Sequence, residues 1–140
     1  MVSRIVSPAV DWTAAFLVLF VAHVAGDFLL QTEFQATRKV GGLGSDPEAR
    51  KALLSHLLTY SVPMAVPLVW FAVAETPLRA VAAIAISLGT HLVQDDGRLL
   101  RRWVLRVKHT DAAYGTPLWI AVDQSAHLVW LFAAALVAAA

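Results

Sequence analysis

Four of the five histidines in this chain lie in apolar stretches of membrane-spanning length, and three of the four stand four residues from an aspartate. Ionisable side chains are costly in hydrocarbon, so we expect such groups to satisfy one another or to bind a ligand. Because four residues are about one helical turn, both members of a pair can point at one position. The sequence therefore predicts a polar site inside a small membrane protein, built from His23, Asp27, His56, His91, Asp95, Asp123 and His127.

The composition supports a membrane protein and limits the chemistry of the site. Of the 140 residues, 59% are hydrophobic and 15% are charged, against about 25% charged in an average soluble domain. The net charge of +1 gives no reason to expect a nucleic-acid partner. With no cysteine in the chain, any metal must be bound by imidazole and carboxylate. Such ligands suit zinc best, with manganese or iron as alternatives.

Four apolar stretches are long enough to cross a bilayer core, which takes about 20 helical residues. We predict an all-α integral membrane bundle of four transmembrane helices in a single domain, residues 1–140, arranged as two helical hairpins. The first stretch has an alternative interpretation as a signal peptide cleaved near Ala25, but cleavage there would separate His23 from Asp27. The predicted spans are residues 9–30, 52–74, 78–94 and 118–139.

The basic residues predict the orientation of these spans. Nine lysines and arginines fall in the two long polar loops, and only Arg4 and Arg79 fall on the opposite side. Cytoplasmic loops are enriched in such residues, so we expect a multi-pass protein of the inner membrane with cytoplasmic loops and external termini. Within the second loop, residues 95–117, the segment 98–108 has the pattern of a basic amphipathic helix on the inner leaflet. A basic loop that happens to be helical is an equally open interpretation.

The polar set is best interpreted as a metal site. Imidazole and carboxylate are good ligands for a borderline cation, and seven of them suit two ions, or one ion with further carboxylates that orient the histidines. A metal-free proton relay and a structural hydrogen-bond network remain alternatives. Three glutamines at the same depth are candidates for the outer hydrogen-bond shell: Gln31, Gln94 and Gln124.

Several short motifs resemble a family of small integral membrane proteins from bacteria and phages. They are Asp27-Phe-Leu-Leu-Gln31 after His23, then His56, then His91 with Asp95, and Asp123-Gln124 followed by His127. The family is the domain of unknown function numbered three-three-zero-seven, and the resemblance covers essentially the whole chain. A group that looks related is described as membrane-bound metal-dependent hydrolases. The resemblance implies a membrane fold and a role for the seven polar residues.

Three classes of function follow from these observations. The first is a metal-dependent hydrolase in which an aspartate (Asp27, Asp95 or Asp123) acts as general base on a lipid or other amphiphilic substrate near the inner leaflet. Its phosphate headgroup would be bound by Arg98, Arg101 and Arg102. The second is a metal or proton transporter, which at this size would need a homo-oligomer. The third is a non-enzymatic subunit that packs against a membrane partner protein.

Overall fold

The computed structural model describes residues 10–140 and is all-helical over that range. Arg4 and Ala9, which entered the predicted orientation and the predicted first span, lie outside the described residues. Two of the helices end in a wider π-helical turn, at Ala25–Leu29 and at Val104–Lys108. In chain order the helices are α1 (Trp12–Val24), α2 (Glu33–Arg38), α3 (Pro47–Ala74), α4 (Pro77–Asp95), α5 (Arg98–Trp103) and α6 (Pro117–Ala139).

Each long helix begins at a residue suited to cap it. Asp11 accepts hydrogen bonds from the amides of Thr13 and Ala14, at 3.1 and 3.3 Å, and so satisfies two amides that the helix leaves free. The other three long helices begin with a proline that follows an aspartate or threonine cap. Proline suits this position because its missing N–H would have no partner there.

Three helical segments are long and apolar enough to cross a membrane: Trp12–Leu29, Pro47–Ala74 and Pro117–Ala139. The prediction of an all-α protein with membrane-length helices is confirmed to this extent. The predicted third span, residues 78–94, corresponds to α4, which has 19 residues but is not among the three segments that are apolar enough to cross a membrane. The predicted amphipathic segment is helical throughout residues 98–108.

The long helices divide the protein into an apolar end and a polar end. At one end α1, α3, α4 and α6 pack through a core of small and apolar side chains that includes Leu19, Met64, Phe71, Ala83 and Leu131. At the other end lie the two long loops, which contact each other. The amide of Gly41 donates to the carbonyl of Asp96 at 2.8 Å. All seven polar residues predicted from the sequence lie towards this loop end.

Gly26 allows the π-helical turn after α1 to approach α3 closely. A Cβ atom at this position would lie 2.5 Å from Cδ2 of Tyr60 and 3.2 Å from its Cα. Because the second contact is with backbone, the helices would have to separate. This close approach also sets the position of Asp27, the next residue in the turn.

Gly26→Ala is therefore expected to lower the free energy of unfolding by about 1–3 kcal/mol, as overpacking in a filled core does. Thermal unfolding in detergent measures this loss. Gly89→Ala is the matched control, since no heavy atom lies within 4 Å of the added Cβ. In the control, replacing a glycine inside a helix by alanine should raise the free energy of unfolding by roughly 0.5–1 kcal/mol. Equal midpoints for the two variants would contradict the close packing of α1 on α3.

Candidate metal centre

Four of the seven predicted residues converge on one point inside the bundle. The donor atoms are Oδ1 of Asp27, Nε2 of His56, Nε2 of His91 and Oδ2 of Asp95. His56 Nε2 lies 3.1 Å from the Asp27 oxygen, 2.9 Å from the Asp95 oxygen and 3.0 Å from His91 Nε2. His91 Nε2 lies 3.4 and 3.1 Å from the same two oxygens. All four residues are buried.

The separations between these atoms match those around a first-row metal ion. For bonds of about 2.0–2.2 Å, ligand atoms lie about 3.3–3.6 Å apart in a tetrahedron and about 2.8–3.1 Å apart along an octahedral edge. The separations of the two histidine nitrogens from each other and from the two carboxylate oxygens are 2.9 to 3.4 Å, which falls within these two ranges. A single cation can therefore reach all four atoms with little movement of the side chains.

Hydrogen bonds alone do not account for this arrangement. If His56 and His91 both carry hydrogen on Nε2, two N–H groups face each other at 3.0 Å. If either nitrogen lacks hydrogen, its lone pair faces a carboxylate oxygen at 2.9–3.4 Å. Either state leaves an unfavourable buried contact. A cation at the centre removes the conflict, because all four atoms then direct lone pairs towards it.

The remaining carboxylate oxygen of Asp95 belongs to a second group of possible ligands. Nε2 of His127 lies 3.5 Å from Asp95 Oδ1 and 3.6 Å from Asp123 Oδ2. Within residues 10–140 neither Asp95 Oδ1 nor His127 Nε2 has a hydrogen-bond partner. Both separations fit the edges of a tetrahedral site with bonds of about 2.0–2.2 Å. Asp95 is thus placed to join two neighbouring cation positions.

His23 lies beside this centre and has both ring nitrogens in hydrogen bonds. Nδ1 is 3.1 Å from the hydroxyl of Tyr60, and Nε2 is 3.1 Å from Oε1 of Gln124. Tyr60 also stacks on the ring of His91, with centroids 3.6 Å apart. His23 also forms a third group of possible metal ligands with His91 and His127, but in this arrangement both of its ring nitrogens are engaged in hydrogen bonds. The sequence analysis missed Tyr60, although its spacing of four residues from His56 was a usable signal.

Lys39 was also missed, and it supplies a buried positive charge at the centre. Its Nζ lies 2.8 Å from Asp95 Oδ2. Burial alone would lower the pKa of Lys39, but the charges of Asp95 and Asp27 outweigh burial and raise it above its usual 10.5. With three ionised aspartates and Lys39, the centre carries a charge of −2. One divalent cation would neutralise it, which is the state that a buried site favours.

Gln31 occupies the position expected of a group that orients a metal ligand. Its amide nitrogen is placed to donate to the Asp27 carbonyl at 3.0 Å, and its oxygen accepts from Lys39 Nζ at 2.7 Å. In that orientation the oxygen also lies 3.4 Å from Nδ1 of His56. A hydrogen on Nδ1 leaves the lone pair on Nε2, where a metal would need it.

A cavity of about 270 Å³ lies beside the centre, and we call it the polar cavity for the charged and amide side chains that line it together with apolar ones. Among the residues that line it are Asp27, Asp95 and Asp123, together with Lys39 and Gln124. The Gln124 amide nitrogen lies 3.3 Å from Asp27 Oδ2 and 3.4 Å from Asp123 Oδ2. The aspartates are therefore accessible to a small polar group that enters from the side of the loops.

The other predicted site residues lie at a distance from this cluster or have different partners. Gln94 lines the cavity, but within the described residues its amide makes no hydrogen bond. Arg98 donates to Asp96 at 2.6 Å, and Arg101 donates to Asp111 at 3.0 and 2.8 Å. Arg102 is exposed on α5.

The fold and the cluster together define a helical protein with membrane-length segments and a buried histidine–aspartate centre that could hold a metal ion. A family model described as "Protein of unknown function (DUF3307)" matches residues 15–140, and the chain belongs to that family. No curated protein and no solved structure matches the chain. The expected likeness to membrane-bound metal-dependent hydrolases gains no support from these comparisons.

Proposed function

We propose that this protein is a membrane-embedded, metal-dependent hydrolase that acts on an amphiphilic substrate with an anionic headgroup. The observation that carries the proposal is the convergence of four buried donor atoms at metal-ligand separations, next to a polar cavity. A site used only for structure has no need of such a cavity. A hydrolase needs one, to admit both the substrate and water.

The proposal places the protein in the inner membrane with four spans. Helix α4 has 19 residues, which at 1.5 Å per residue is about 28 Å, close to the roughly 30 Å of a bilayer core. Its polar residues face the bundle interior, where His91 and Asp95 are buried. With the loops in the cytoplasm, the cavity opens near the headgroups of the inner leaflet.

We assign zinc first to the inner position, formed by Asp27, His56, His91 and Asp95, with manganese or iron as alternatives. Asp95 would also join a second ion held by Asp123 and His127. Three protein ligands leave coordination positions free there, as in catalytic sites. Such ions lower the pKa of bound water and polarise a scissile bond.

The chain's own groups would supply the proton transfer and the charge balance. Asp123 lines the cavity and is the least buried of the three aspartates. Its Oδ2 would bind the second ion, so its other carboxylate oxygen, Oδ1, is the one left to accept a proton from water. Lys39 lines the same cavity. Its ammonium can stabilise negative charge that develops on the substrate.

The charge of the centre favours an anionic substrate. Two divalent ions would change the charge of −2 to +2. An anionic headgroup entering the cavity would offset that excess, and a phosphoester carries such a charge. A transport function has less support. Beyond the site, the interior of the bundle formed by residues 10–140 is the apolar core around Phe71 and Leu131, and these residues provide no polar path across the membrane.

The test is turnover by purified, metal-loaded protein in mixed micelles against a panel of lipid phosphoesters, esters and amides. We expect hydrolysis that a chelator abolishes and added metal restores. Asp123→Asn should reduce turnover by roughly 10²–10⁴-fold, the range for loss of a general base. His109→Ala, an exposed loop histidine, is the matched control and should retain full activity. Tightly bound metal with no turnover on any member of the panel would contradict the proposal.

A further inference from the structure

We infer that an apolar groove beside the metal centre binds one acyl chain of the substrate, and that Gln94 joins this groove to the polar cavity. The inference rests on the proposed hydrolase function and names the substrate class as a membrane lipid with an anionic headgroup. It concerns a surface formed by α4, α5 and α6, and none of the residues that line this surface is a proposed metal ligand.

The groove has the size and lining of a ligand site. Its volume is about 820 Å³, within the roughly 300–1,000 Å³ of small-molecule pockets. Val93 and Gly89 of α4, Leu100 of α5, and Ala121 and Val129 of α6 are among its lining residues. Apart from a few polar groups the surface is aliphatic or aromatic, which suits a hydrocarbon chain.

The length of the groove matches one leaflet of a bilayer. Along α6 it extends from Leu118 to Trp130, about 18 Å at 1.5 Å per residue. One leaflet provides about half of the roughly 30 Å hydrocarbon core. A helix from a second protein would need a contact surface across both leaflets, whereas a single acyl chain needs this length only.

The loop end of the groove carries groups typical of the membrane interface. Trp103 and Lys108 both line it, and Lys108 Nζ lies 5.7 Å from the centre of the Trp103 ring. Tryptophan and lysine favour the headgroup level, and lysine attracts anionic lipid. This end therefore complements a negatively charged headgroup attached to a chain in the groove.

Gln94 borders both the groove and the polar cavity. The residue is 9% exposed, and neither side-chain amide atom has a hydrogen-bond partner within residues 10–140. A buried amide without partners is unfavourable, so a ligand that supplies partners is the natural complement. The amide can donate to a carbonyl oxygen or accept from a hydroxyl. It can thus hold the linkage between acyl chain and headgroup, one residue from Asp95.

The test is photolabelling of the full chain in vesicles of phosphatidylethanolamine and phosphatidylglycerol, with a diazirine in one acyl chain of the phosphatidylglycerol. We expect labelled peptides to be enriched in the groove segments of α4 and α6 over other exposed helix faces. Gly89→Phe should fill the groove and reduce this labelling by about tenfold. Ala85→Phe is the control, because Ala85 is exposed on the same helix one turn away and does not line the groove.

Metal content and turnover, measured on the same samples, separate the two proposals. Groove labelling that Gly89→Phe removes while bound metal is unchanged would support the inference, even if no lipid were hydrolysed and the hydrolase assignment failed. Labelling spread evenly over the exposed faces, or unchanged in Gly89→Phe, would overturn it even with active protein. A crosslink through the groove to a second copy of the chain would overturn it as well.

Discussion

His56→Ala is expected to reduce bound metal to less than about a tenth of the wild-type content. Nε2 of His56 lies within 3.1 Å of each of the other three donor atoms in the inner group, so its loss opens the whole coordination shell. Loss of a group that merely orients a ligand already costs about 10–100-fold in metal affinity. Plasma mass spectrometry of detergent-purified protein, after reloading with zinc, manganese or iron, measures the content.

The same variant should lose the stabilisation that metal gives to the fold. A ligand that binds only the native state at 100 times its dissociation constant stabilises it by about 2.7 kcal/mol. Added zinc should therefore raise the unfolding temperature of the wild type and leave that of His56→Ala unchanged. His109→Ala, with its exposed side chain, should bind metal and respond as the wild type does. The assignment of the cluster as a metal centre is wrong if the wild type binds none of the three metals. It is also wrong if His109→Ala loses as much metal as His56→Ala.

Six of the seven polar residues could be predicted from a signal that is local in the sequence, whereas His56 has no aspartate four residues away and was included for its depth alone. A histidine and an aspartate four residues apart in an apolar stretch stand out against hydropathy. Their shared depth follows from where each helix meets its loop. The structure also divides the seven residues into different groups, which the spacing of residues along the chain does not predict. Asp27, His56, His91 and Asp95 form the inner group, whereas His23 is engaged by Tyr60 and Gln124.

The groups that the sequence did not predict reach the site through long-range contacts. Lys39 lies in a loop outside the apolar stretches, so it was counted among the loop residues that set the orientation, and its contact with Asp95 spans 56 residues. Gln94 was predicted to belong to the outer hydrogen-bond shell of the site because it lies at the same depth as the histidines and aspartates. Its direction depends on the packing of α4 against α6, and the structure places it between two cavities instead.

The predicted third span, residues 78–94, shows a different limit. Hydropathy treats α4 as one more apolar stretch, yet the helix carries Ser87, His91, Gln94 and Asp95 on its buried side. These residues make α4 less apolar than the other long helices, although it contacts both α3 and α6. A helix that provides site residues in the middle of a bundle needs less contact with lipid, so its hydropathy understates how deeply it can be embedded.

Lys39→Met is expected to destabilise the metal-free protein by about 3–5 kcal/mol, the cost of leaving one member of a buried ion pair without its partner. With metal bound the loss should be smaller, since the cation compensates the charge of Asp95 in place of the ammonium. Unfolding with a chelator and then with saturating zinc measures both values. Lys51→Met removes an exposed lysine and is the control, with an expected change within about 0.5 kcal/mol.

A companion substitution and the pH dependence identify the cause of that loss. Asp95→Asn in the Lys39→Met background should recover part of the stability in chelator, because it removes the unpaired carboxylate. The pKa of Lys39 is raised in the folded protein, so the stabilisation from the pair is complete below the ordinary value of 10.5 and is lost only as the pH rises through the raised value. The metal-free wild type should therefore keep this contribution throughout neutral pH. An equal loss with chelator and with zinc would show that Lys39 and the metal do not share the charge of Asp95.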